Sequence, residues 1–70
     1  MDSKVHGERY ARIFRKAGVY LAKGKPARAL EVFEEGRALA ERNGHHQMAR
    51  LFTAEIERAR LEMREPDDGE

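Results

Sequence analysis

Seventy residues with 39 % charged and 40 % hydrophobic side chains, a formal charge of +1 and no cysteine make one small domain at most. Without cysteine the chain has neither a disulfide framework nor a thiolate metal site. No window approaches the roughly 18 apolar residues of a membrane span, and no apolar run of signal-peptide length opens the chain, so a cytoplasmic protein is expected.

The near-neutral charge hides an asymmetry: residues 1–30 sum to +6 and residues 31–70 to −5. The halves can attract one another within or between chains. Solvated helix faces account for most of these charges.

Residues 1–7 carry no periodic pattern and are expected to be a frayed lead-in. From Glu8 to Lys23, Tyr10, Ile13, Phe14, Ala17, Tyr20 and Leu21 recur at three- and four-residue spacings, the signature of an amphipathic helix. Arg9, Arg12, Arg15, Lys16 and Lys23 take the opposite side, with Val19 alone among them. Gly24 after Lys23 is a left-handed stop signal, and Pro26 suits the first position of a second helix, Pro26 to Arg42. A link this short forces the two helices antiparallel, and the small residues Ala17, Gly24, Ala29 and Gly36 fall where they approach. Val32, Leu39 and Gly36 widen the apolar arc of the second helix, which therefore wants neighbours on two sides.

Asn43-Gly44 ends that helix, and a third from His45 to Arg64 places Met48, Leu51, Phe52, Ile56, Ala59 and Met63 on one arc, with Leu61 off it. Pro66 closes the domain, 8–65, and residues 66–70 are expected to be a disordered acidic tail. The expected fold class is all-α, with three helices.

From Tyr10 to Asn43 the chain resembles one tetratricopeptide repeat: Ala17, Tyr20, Gly24, Ala29, Phe33 and Gly36 stand at that pattern's small and aromatic positions, with Ile13 and Leu30 acceptable. It departs from the pattern at Lys16, where Leu is preferred, at Lys25, where the turn usually has Asp or Asn, and at Glu41, where Pro is common. The third helix then resembles a capping helix. The resemblance implies a protein-binding scaffold whose groove would be lined by Ala11, Phe14, Gly18, Leu21 and Ala22. Phe14 and Gly18 stand at two positions where some members carry a carboxylate clamp, so the groove suits an apolar helix or strand.

Repeats of this kind need about three copies for a stable stack, and this chain has one and a half. A domain so small roughly breaks even between burial and ordering entropy, and oligomerisation is the obvious remedy. Val19, Leu61, Phe14 and Leu21 are the candidates for surface buried in a homodimer.

Other functions have thinner support. The chain has one Ser (Ser3), one Thr (Thr53) and no Cys, and every Asp is terminal, so no enzyme, cofactor or small-molecule substrate is expected. His45 and His46 project about 100° apart on a helix and cannot share a metal ion, and His6 lies in the lead-in, so no metal site is expected. A rival reading as a nucleic-acid-binding protein rests on Ala40 to Gly44 followed by His45, Gln47, Arg50 and Thr53, faintly like a helix-turn-helix, or on the basic first helix. The acidic second helix opposes it. Finally, Lys23, Lys25 and Arg28 surround the uncapped start of the second helix, where a partner carboxylate or phosphate is a candidate ligand.

Overall fold

The computed structural model describes the backbone of residues 2–64 and the side chains of residues 6–63. Three helices, α1 (Asp2–Ala22), α2 (Pro26–Arg42) and α3 (His46–Arg64), follow one another through tight turns, and the fold is all-α. Residues 66–70 lie outside the described residues.

Both turns use one device. At the end of α1, Gly24 takes φ 73°. Its N–H donates to the Leu21 carbonyl at 2.9 Å, and the Lys25 N–H to the Tyr20 carbonyl at 2.8 Å. At the end of α2, Gly44 takes φ 75°. Here Gly44 donates to Glu41 at 3.1 Å and His45 to Ala40 at 2.8 Å. This pair of bonds satisfies the last orphan carbonyls of each helix and turns the chain back on itself. Only glycine takes the left-handed conformation without a Cβ penalty.

α2 lies in the middle, with α1 and α3 packed on either side of it. Its buried residues explain the placement: Ala29, Val32, Phe33, Gly36 and Ala40 spread over too wide an arc for one neighbour to cover. The Cα traces of α1 and α3 nowhere come within 8 Å of each other among the described residues. Side chains close the gap. Phe52 of α3 stacks on Phe14 of α1 at 4.5 Å and 9°, with Tyr10 edge-on at 5.9 Å and Phe33 at 6.4 Å. The rest of the core is small, with Ala17, Ala29, Ala40, Ala49 and Ala59 all buried, so the helices approach closely. The Cα trace is 13 Å in its thinnest dimension, more than the width of about 5 Å of one helix's Cα cylinder, so the three helix axes do not lie in one plane.

The structure departs from the sequence reading at three points. α1 begins at Asp2, not at Glu8: the helix runs on through Gly7, and His6 finds aromatic neighbours in Tyr10 and His45. Gly36 admits α3, not α1: its neighbour is the Phe52 ring. Leu51 and Met63, read as part of the buried arc of α3, stay 53 % and 43 % exposed. α2 covers a narrower strip of α3, centred on Ala49, Phe52, Ile56 and Ala59.

Candidate interaction surface

The candidate groove residues separate by burial. Phe14 and Leu21 are half-buried and pack on the core, and the Phe14 ring is occupied by Phe52 and, at 6.0 Å, by Phe33. They form a floor. Ala11, Gly18 and Ala22 are exposed, and a Cβ added at Gly18 would meet nothing within 4 Å. The α1 surface is therefore shallow and smooth, made of small residues above an aromatic base. Val19 is 49 % exposed beside the exposed cations Arg12, Arg15, Lys16 and Lys23. None of these four is in an ion pair within 4.0 Å among the described residues.

The larger apolar exposure lies on α3. Leu51 and Leu61 are 53 % and 60 % exposed. At about 100° per residue they and the exposed Ala54 fall in one arc roughly opposite the strip that α2 covers, over about 15 Å of helix axis. Leu61 stands off the apolar arc in the sequence, whereas Leu51 reads as part of that arc and Ala54 carries no signal of its own. The period-3.6 signal was there in Leu51-x-x-Ala54-x-x-x-x-x-x-Leu61, hidden because Leu51 also borders the buried arc. Arg58, which falls inside this arc, donates to Glu55 at 3.3 Å, and Arg60, on the α2 side of the helix, donates to Glu34 of α2 at 3.4 Å. Both are solvent-exposed and add little stability.

The basic turn is open. Lys23, Lys25 and Arg28 are all exposed, and Lys25 occupies the N-cap position of α2 without a side-chain cap. Arg28 sits 3.9 Å from Glu31 on its own helix. The candidate reading helix is partly committed elsewhere. Thr53 Oγ1 donates to the Ala49 carbonyl at 2.9 Å, and His45 is half-buried against Tyr10, leaving Gln47 and Arg50 exposed.

His6, Gly7, Tyr10, His45, His46, Gln47 and Met48 line a cleft of about 470 Å³ between the start of α1 and the start of α3. Asn43 Nδ2 donates to the Tyr10 oxygen at 3.5 Å, and the Tyr10 hydroxyl lies 2.7 Å from His45 Nδ1. The His6 and His45 ring centroids are 4.9 Å apart, tilted by 63°, and His6 Nδ1 is buried without a hydrogen-bond partner. No group of three or more His, Cys, Asp or Glu side chains converges on a metal position among the described residues. Sequence reasoning missed this pairing because His6 and His45 meet only once residues 2–7 are helical.

No described helix is long and apolar enough to cross a membrane. No family model matches the chain, and comparison with curated proteins and with solved structures finds no match.

Proposed function

We propose that this chain is a non-enzymatic, cytoplasmic protein–protein interaction module, similar to a single tetratricopeptide repeat with a capping helix, that self-associates through apolar helix surface. The exposed Leu51–Ala54–Leu61 face of α3 carries the reading. Apolar residues aligned on one helix face are the kind of surface that a second helix buries, whereas scattered ones need no explanation. The two helices that flank α2 differ: α1 presents cations to solvent, and α3 presents Leu51 and Leu61 with Arg58 between them. A polar outer face is what a terminal unit needs for solubility, so α1 reads as the closed end and α3 as the open one. Val19 contributes a minor apolar contact at the closed end, and the Ala11/Gly18/Ala22 surface is a second place for an apolar partner.

Sedimentation equilibrium from about 1 to 200 μM, with helix content followed by circular dichroism across the same dilution, tests this reading. A dimer whose helicity falls on dissociation supports self-association that completes the fold. A folded monomer at every concentration overturns it.

The unpaired cations of α1 favour a second reading, a phosphate-backbone contact with nucleic acid. It requires binding to random duplex DNA that falls steeply with salt, and absence of binding at low salt removes it.

A further inference from the structure

The outer face of α3 is complementary to itself. We propose that it packs on the same face of a second copy of this chain, antiparallel and in one register, about a two-fold axis at the level of Ile56. This pairing rests on self-association of the chain and adds to it the helix, the direction and the register.

The spacing of four residues carries it. Leu51, Ala54, Arg58 and Leu61 stand three, four and three residues apart, the ladder of a coiled-coil seam, and at about 100° per residue they share an arc of about 80°. The ladder is symmetric about position 56. Leu51 and Leu61 lie five residues to either side of it, and Ala54 and Arg58 two residues. A two-fold axis at that level therefore sets each Leu51 beside Leu61 of the second copy, and each Ala54 beside Arg58 of the second copy. These are the reciprocal contacts of an isologous interface. The surface is free to make them: Leu51 and Leu61 are more than half exposed, Ala54 and Arg58 are exposed, and the buried strip of Ala49, Phe52, Ile56 and Ala59 faces the other way.

Size and charge select the antiparallel direction. In a parallel pair each residue meets its own copy, so two Arg58 guanidinium groups would be desolvated together in the middle of the seam. In the antiparallel pair the long Arg58 stem lies over the small Ala54 of the second copy and carries its charge to the edge. A carboxylate stands at that edge. Glu55 flanks Arg58 on one side of the ladder, and a two-fold axis perpendicular to the helix preserves that side. Arg58 is about 3 Å from the level of the axis and Glu55 of the second copy about 1.5 Å from it in the same direction, so the two meet across the interface. Within one chain Arg58 already donates to Glu55 at 3.3 Å. Pairing gives each Arg58 a carboxylate from both chains.

The seam spans about 15 Å of helix, short of the roughly 1,200–2,000 Å² of a standard stable interface, so a dimer of micromolar affinity is expected.

Thiol cross-linking of the full chain tests the register. The sequence has no cysteine, so introduced thiols are the only ones. The Leu51→Cys/Leu61→Cys double variant should form a covalent dimer on mild oxidation. Leu51→Cys and Leu61→Cys alone should not, because each thiol lies about 15 Å along the helix from its own copy, beyond the span of a disulfide. A second experiment keeps both leucines: Arg58→Glu and Glu55→Arg should each weaken self-association about 10-fold, and an equimolar mixture should recover it as a mixed dimer, since acidic edges then meet basic ones. Sedimentation equilibrium separates the two ways of failing. A chain that is monomeric up to about 200 μM overturns self-association and this pairing with it. A dimer in which the single-cysteine variants cross-link as readily as the double, the double variant does not cross-link, or the mixture gains nothing over its components overturns the pairing alone.

Discussion

The Phe52 ring of α3 sits against Gly36 of α2, so close that a Cβ at position 36 would stand 2.5 Å from Phe52 Cε1 and 2.6 Å from Cζ. The ring has nowhere to retreat, being stacked on Phe14 with Tyr10 and Phe33 at its other sides. Gly36→Ala should therefore destabilise the protein. Alanine gains about 1 kcal/mol of helix propensity, while overpacking a closed core costs about 1–3 kcal/mol; with the ring held on every side the cost is at the upper end, and the net loss is up to about 2 kcal/mol. Urea unfolding measures it. Adding Phe52→Leu to Gly36→Ala should cost less than the sum of the two single changes, because both act on one contact.

Leu51→Glu and Leu61→Glu should each weaken self-association at least about 10-fold while changing the stability of the monomer by less than about 0.5 kcal/mol, since both side chains are more than half exposed. Val19→Glu should have a smaller effect, because it adds a carboxylate among cations. Sedimentation equilibrium on the three variants separates these outcomes. Equal effects of all three would place Val19 in the interface together with the α3 face, and an effect of Val19→Glu alone would move the interface to α1.

Lys25→Asp should stabilise α2. Its N-cap position has no side-chain bond to the free N–H groups of the first turn, and no acidic residue lies in that turn. An Asp there supplies the bond and a favourable charge at the positive helix end, together about 0.5–2 kcal/mol. Thermal unfolding gives the gain. If Lys23, Lys25 and Arg28 hold a partner's carboxylate, the same substitution weakens binding at low salt, and unchanged binding removes that role.

Tyr10→Phe should cost about 0.5–1.5 kcal/mol, the net worth of one hydrogen bond, and not more, because the cleft lets water reach the freed His45 nitrogen. Urea unfolding of the wild type and the variant measures it.

Local chemistry determined the helices and where they stop. The spacing of Tyr10, Ile13, Phe14, Ala17, Tyr20 and Leu21, the Gly24-x-Pro26 turn and the Asn43-Gly44 stop predict the helix order, and Pro26–Arg42 matches its predicted bounds, because periodicity, capping and left-handed glycine act within a few residues. The need of α2 for two neighbours was equally legible, since Val32 and Leu39 widen its apolar arc.

Tertiary structure decided the rest. Residues 2–7 have no strong pattern, and their helix gains contacts from His45, distant in sequence. Gly36 reads as a close approach from its size, but only packing says that Phe52 is what approaches. Leu51 lies on the border of an apolar arc, and whether it is core or surface depends on how wide a strip α2 covers. In each case the deciding partner is remote in the chain, and a helical period specifies which residues share a face without specifying what meets it.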